Sequence, residues 1–350
     1  MCKLPRLRIF CWGIIVALVT MVLLSAVSMP YNKEDSHHQL RQMAEPYAFN
    51  FISWELQALS SLPEEIFCKE DKANQEEILC NQIRTILADE GISAFPPVIF
   101  RFEEPPHLLV VSPRDEIVYY DRRMLRQKLS VEEMENLEAR IDELELSALV
   151  VELGGFGATY PPMVNRDMSL PYTIDTAVEE WLHQYLAFRP LGFLYLLDLV
   201  GIRRNPDVVI MNETLADMVS QEIGSEVYAR YYQGQEEVKA GCNALEFDFD
   251  AEMRKTRKAV DYYLSQGKIE EAECYMEDRR QEFEVHGYYI RKLNQAYFAF
   301  HGIYAQDPAS VSPVYRDLKQ LRAQSPSLKY FLDKVATMKS YAELKEALRQ

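Results

Sequence analysis

The sequence predicts an α+β fold, with helices and strands in separate blocks rather than in alternation. Two observations predict it. Apolar residues recur at three- and four-residue steps up to about residue 92 and again from about residue 246, the period of amphipathic helices. Between residues 95 and 151, short apolar and β-branched runs cut by prolines take their place, as strands do. With 350 residues, 48% of them hydrophobic, the chain has ample material for a core. The expected architecture is a small mixed sheet whose edge strand packs on a pair of helices, followed by a largely helical C-terminal region. Its divisions are 1–30, 31–94, 95–245 and 246–350.

Residues 1–30 read as a cytoplasmic tip and membrane anchor. Lys3, Arg6 and Arg8 precede an uncharged run from Ile9 to Met29, about the length that spans a bilayer core. The basic flank predicts a cytoplasmic N-terminus with residues 31–350 outside. The alternative is a cleaved signal peptide and a secreted chain, with Ala26-Val27-Ser28 at the cleavage site. The net charge of −16 argues against a nucleic-acid partner, because binding phosphates needs a basic face. Beyond the apolar run stand Cys68, Cys80, Cys242 and Cys274. The sequence-local pairings are Cys68–Cys80 and Cys242–Cys274, other connectivities are open, and isolated buried thiols are the alternative.

Along the chain, residues 34–92 read as helix, then VIFRF and HLLVV as strands. Ser130 followed by Glu133 is a capping box that starts a helix. SALVVELGGFG reads as a strand running into a glycine-rich turn. A helix from about Asp175 to Phe188 stops before Pro190-Leu191-Gly192, and another holds Asn212 to Glu222 with Gly224 as its stop. The remaining helices are Asp261–Gln266, Ile269–Val285, Tyr288–Tyr304 and a short pair within Val314–Gln350.

The candidate chemistry lies in EEWLH, Glu179 to His183, and NETLAD, Asn212 to Asp217. Residues four apart on a helix share a face, so Glu179 and His183 can point at one ion with Glu180 beside them. Glu213 is the candidate third ligand. Together the two segments resemble the zinc-binding helices of gluzincins, the thermolysin-like metallopeptidases, whose pattern is H-E-x-x-H followed by N-E-x-x-x-D. Text from RFEEPPHLLVVSPRDEI to RKLNQAYFAFHGIYA also resembles an uncharacterised group of membrane-anchored bacterial proteins, a likeness that carries no activity with it.

The gluzincin resemblance implies a metallopeptidase-like core with roles for particular residues. His183 and Glu213 would be metal ligands, and Glu180 the general base that takes a proton from the attacking water. Asn212 would hydrogen-bond His183 and fix its tautomer. The strand before the helix would pair with a peptide or protein substrate, and Gly154, Gly155 and Gly157 would allow close approach. One position departs from the pattern: Glu179 stands where the first histidine belongs. A carboxylate can still ligate, but two of them cancel the ion's charge and shift preference from Zn²⁺ toward harder ions such as Mn²⁺. Asp217, which would orient that histidine, here meets another acceptor. An oxyanion donor is also needed. Tyr297, His301 and Tyr304 share one face of a continuous helix and are the candidates, with Arg291 and Asn294 as alternatives. A core stripe is the plainer account of them. His37, His38, His107 and His286 read as ordinary histidines. The functional expectation is therefore a metal-dependent peptidase. The alternatives are an inactive binding or scaffolding protein of the same fold, with no ion, and a helical envelope protein without metal ancestry.

Overall fold

A computed structural model describes residues 36–58, 75–199, 201–233 and 247–349. The chain is mixed α+β, as the segregated pattern predicts. The expectation of a membrane-spanning helix finds no support among the described residues. No helix among the described residues is long and apolar enough to cross a membrane, and the Ile9–Met29 run lies outside them. Cys68 and Cys242 also lie outside. Cys80 is a buried free thiol and Cys274 an exposed one.

There are two three-stranded sheets among the described residues, not one. Strands β1 (Arg101–Phe102), β5 (Gly155–Phe156) and β6 (Met163–Val164) form the smaller, in the order β1-β6-β5. It is the mixed one, with β6 parallel to β1 and antiparallel to β5. Strands β2 (His107–Pro113), β3 (Asp121–Leu125) and β4 (Leu146–Val151) form an antiparallel sheet in the order β3-β2-β4. The expected VIFRF strand shrinks to its last two residues. Strand β3, DRRML, escapes a reading by apolar runs because three of its five residues are charged.

The larger sheet packs on the helix Val131–Asp142, burying Leu109 and Val111 against Leu137 and Ile141. Ser130 closes that helix's first turn in a complete capping box with Glu133. Both edges of this sheet are occupied. Along β3, Phe49 N–H donates to Met124 O and Arg126 N–H to Tyr47 O. Along β4 the partners are side chains. Val150 N–H donates to Glu138 and Ala148 N–H to Asp142, while Arg291 donates to Val150 O and Asn294 to Ala148 O. Arg291 and Asn294 are therefore spent on the sheet, which corrects their place among the oxyanion candidates.

Glu138 is buried, and Arg291 grips it in a fork at 3.0 and 2.6 Å, with Lys292 at 3.7 Å. Removing one partner of a buried pair strands the other charge, which costs about 3–5 kcal/mol. Arg291→Ala is expected to lower unfolding stability by about 3 kcal/mol, since Lys292 offsets part of the loss. Urea denaturation checks this, and an unchanged midpoint would mean that Lys292 alone suffices.

The helices that carry EEWLH and NETLAD pack against each other in the largest core cluster, around Trp181, Leu182, Leu215 and Val219. The first spans Leu170–Ala187 and begins five residues earlier than expected, because Pro171 sits in its first turn, where no N–H is needed. Trp181 anchors it by donating to Pro96 O at 2.8 Å. The second spans Pro206–Tyr231, capped by Asn205, whose side chain accepts from Val208 N–H. Gly224 lies inside it instead of ending it. A Cβ there would stand 1.9 Å from Asp175 Oδ1, so the glycine permits the two helices to approach. Pro190-Leu191-Gly192 does follow the end of the first helix, but it also opens another, Pro190–Leu199. A Cβ on Gly192 would fall 2.1 Å from Leu186 O, which explains how that helix turns so tightly against the previous one.

The C-terminal region is helical, as expected. Phe249–Ser265 and Ile269–Val285 form a hairpin around Met253, Val260 and Phe283. The expected helix Tyr288–Tyr304 is only Gln295–His301, capped by Asn294.

Candidate metal centre

Glu179, His183 and Glu213 each place one donor atom within 4.8 Å of the others, a grouping that can hold a metal ion. The first helix presents Glu179 and His183 one turn apart, and the second brings Glu213 from below, buried to 5% exposure. His183 Nδ1 lies 3.0 Å from Asn212 Oδ1, and its Nε2 lies 3.3 Å from Glu213 Oε2. The amide oxygen of Asn212 can only accept, so Nδ1 carries a hydrogen and Nε2 is directed at Glu213. Asn212 is fully buried, which fixes the pair within the core.

Two further side chains hold Glu213 and His183. Tyr195 donates its hydroxyl to Glu213 Oε1 at 2.6 Å and stacks on the His183 ring, with centroids 5.7 Å apart. It belongs to the Pro190–Leu199 helix, so the stretch read as a stop delivers a residue to the centre. Arg122, from β3, adds a positive field on Glu213.

The electrostatics show an excess of acid. Burial, then Glu180, holds the Glu179 carboxyl well above the usual range. Burial also pushes Glu180 up to about 7, against the pull of His183. The same cause raises Asp175 to about 7, with Asp217 adding to it, and Asp217 itself to about 6. Burial opposes the charge on His183, yet Glu213, Glu180 and Glu179 outweigh it and raise the imidazole to about 10. Burial likewise works against Glu213, but His183 and Tyr195 keep it below the usual carboxylate range. Without an ion, then, protons and one imidazolium neutralise the cluster. Two carboxylates, an imidazole of fixed orientation and surplus negative charge are a donor set suited to a divalent cation, and binding one displaces the Nε2 proton.

These shifts have a sign that can be measured. An acid whose pKa rises on folding binds protons in the folded state that the unfolded chain has released, so stability falls as pH rises through the gap. For Glu180, Asp175 and Asp217 that gap runs from about pH 4 to about 7. For His183 it runs from about 6.5 to about 10, again with stability lost as pH rises. Glu213 alone acts the other way. The chelated protein is expected to melt at a higher temperature at pH 5.5 than at pH 8, and zinc or manganese to narrow the difference. Scanning calorimetry decides it, and a chelated protein that melts higher at pH 8 would refute the charge arrangement.

The glycines serve the centre differently than expected. A Cβ on Gly155 would stand 2.4 Å from Glu180 Oε1, and one on Gly157 would stand 2.6 Å from Glu180 Oε2. Their missing side chains make room for Glu180 itself. Gly157 also accepts from Gln184 Nε2 at 3.1 Å, so the strand is tied to the helix at that residue. Gly154 makes room for the Tyr172 ring. Strand β5 is nonetheless an edge strand, beside Glu180.

Of the three oxyanion candidates, Tyr304 lies nearest in its electrostatics. Burial, then Glu213 and Glu179, raise its hydroxyl well above 10. Because the helix ends at His301, the expected common helical face is corrected. Tyr304 is brought in by the turn that follows, where Ala305 N–H donates to Thr214 Oγ1 at 3.1 Å. His301 Nδ1 pairs with Asp307 Oδ2 at 2.9 Å and its ring packs on Tyr297 at 4.1 Å. Asp307 also raises Asp217, which places that turn beside the acidic cluster. Asp217 donates nothing to Glu179. It accepts from Gln221 at 2.9 Å and acts on Glu179 as a like charge. His107 is buried and His286 stacks on Phe247.

Sequence reasoning missed Tyr195, Arg122, Asp175, Tyr172 and Asp307. Only Asp175 carried a signal, standing four residues before Glu179 on the same face. Comparison with models of protein families, with curated proteins and with solved structures finds no match, so no family supports the gluzincin and hydrolase readings, which rest on residues alone.

Proposed function

We propose that the protein is a divalent-metal-dependent hydrolase of the gluzincin type that cleaves peptide bonds. The observation that carries this reading is the convergence of Glu179, His183 and Glu213 within 4.8 Å, with Glu180 next along the same helix. Those three residues would hold the ion, zinc or manganese. When bound, it would supply Lewis acidity and lower the pKa of an attacking water.

The chain's own residues do the rest. Glu180, with its pKa near 7, is poised to take a proton from that water and return it to the departing amine. Tyr304 keeps its hydroxyl proton throughout the neutral range, so it can donate to a developing oxyanion. His301, oriented by Asp307, would be a second donor. Asn212 and Tyr195 hold His183 and Glu213 in place. The half-buried edge of β5 at Gly155 would offer main-chain groups to an extended substrate.

A second reading, a peptidase-shaped binding protein without turnover, has one observation in its favour. The Glu180 carboxylate lies against Gly155 and Gly157 and is bonded by the Gly157 N–H, which restrains a base that must move protons. One experiment separates the two. The zinc- or manganese-loaded chain is incubated with a mixture of unstructured peptides, and new termini are counted by mass spectrometry. Cleavage that chelation stops supports the hydrolase. A loaded chain that leaves every peptide intact overturns it in favour of the binding protein.

A further inference from the structure

Away from the metal centre, a shallow groove of about 590 Å³ opens where the EEWLH helix ends and the next one begins. Phe188, Phe193 and Leu194 form its apolar wall, while Arg189 and Lys339 are its only charged groups. Phe193 is 53% exposed and Phe188 39%. The helix they border, PLGFLYLLDL, is apolar at nearly every position, yet only Leu191 and Gly192 are buried. A helix apolar all round is ordinarily covered on all sides.

Two cations border this surface. Acidic residues outnumber basic ones 54 to 38, and most arginines of the core and site are paired with carboxylates. Arg189 has no carboxylate within ion-pair distance among the described residues. It lies 4.7 Å over the Tyr185 ring and donates to Tyr185 Oη and Phe188 O, both at 3.4 Å. Lys339 likewise makes no ion pair among the described residues. Two cations at one place, beside exposed aromatic surface, complement a ligand with an anionic head and an apolar body.

We propose that this groove binds a long-chain carboxylate, a fatty acid. The carboxylate's two oxygens match the planar fork of Arg189, with Lys339 as a second charge. The hydrocarbon chain covers Phe188, Phe193 and Leu194, whose exposed faces gain from leaving water. The lining side chains carry no other polar group, so a ligand polar along its length would leave its groups unmatched. This site is independent of the metal centre and of any hydrolase activity.

Calorimetric titration of the whole chain with monomeric sodium dodecanoate, below its micellar concentration, tests the proposal. Saturable binding with one site per chain is expected. Arg189→Gln and Lys339→Gln should each weaken it about tenfold, the usual worth of one charge-assisted contact. Phe193→Ser should weaken it as well, and dodecyltrimethylammonium should bind at least about tenfold more weakly than dodecanoate. Lys339 is exposed, so its variant folds whatever Arg189 contributes to packing. Binding that does not saturate overturns the proposal, as does equal binding of the cationic analogue or indifference to both charge variants. Binding of the chain to phosphatidylglycerol vesicles with none of dodecanoate would also overturn it and assign the face to a lipid surface.

Discussion

Replacing His183 or Glu213 by alanine is expected to abolish metal binding, whereas the wild-type chain, purified without chelator, should carry about one zinc or manganese. Each substitution removes one of three donors and also breaks the lattice that aims the others. His183→Ala frees Asn212 and the stacked face of Tyr195, and Glu213→Ala leaves the Tyr195 hydroxyl buried without its acceptor. The effect extends to stability. An ion present at a thousand times its dissociation constant adds about 4 kcal/mol to the folded state. Wild-type protein should therefore melt several degrees higher with metal than with chelator, and neither variant should respond. Glu179→Gln tells whether the unusual carboxylate ligates. Retained metal at reduced affinity marks Glu179 as a ligand with a poor substitute, while unchanged affinity removes it from the set. Elemental analysis finding no metal in wild-type protein, even after dialysis against zinc, would sink the centre.

Glu180→Gln should leave metal content intact and reduce peptide cleavage by about 10² to 10⁴, the usual contribution of a positioned general base. Glu180 is not one of the three converging donors, so the ion should stay. The isosteric amide keeps the contacts with Gly155 and Gly157 and loses only the ability to accept a proton. The two outcomes thus separate holding the ion from using it. A variant that cleaves as fast as wild type would remove Glu180 from the chemistry and return attention to Tyr304 and the His301–Asp307 pair.

How much of this was legible beforehand differs from element to element. The capping box at Ser130 and Glu133 reads directly, because two side chains and two N–H groups within four residues decide it. The candidate trio was legible in part for a similar reason: helical spacing places Glu179 and His183 on one face whatever surrounds them. Boundaries depend on distant groups instead. Gly224 carries the sign of a helix stop, but its lack of a side chain is used by Asp175, 49 positions earlier in the chain. Pro190 likewise reads as a terminator and acts as an initiator, since proline is equally at home in a first turn. That misreading hid Tyr195. Strand β3 was concealed because its pairing with β2 is main-chain work that its charged side chains do not advertise. Tyr304 was named for the wrong reason, for a helical face that ends three residues short of it.

The larger sheet has one more consequence. Its outer strands are covered unequally, β3 only at Met124 and Arg126 by the chain at residues 47–49, and β4 by Glu138, Asp142, Arg291 and Asn294. Among the described residues, β4 therefore leaves little of its outer row unpaired on which a second molecule could template a cross-molecular ribbon. Side chains do on one flank what most sheets leave to another strand, so single substitutions can open the seal as they could not open a strand. Asp142→Ala, or Asn294→Ala on the same flank, would therefore expose part of the β4 row. Self-association through this sheet should then begin from a molecule that is still largely native.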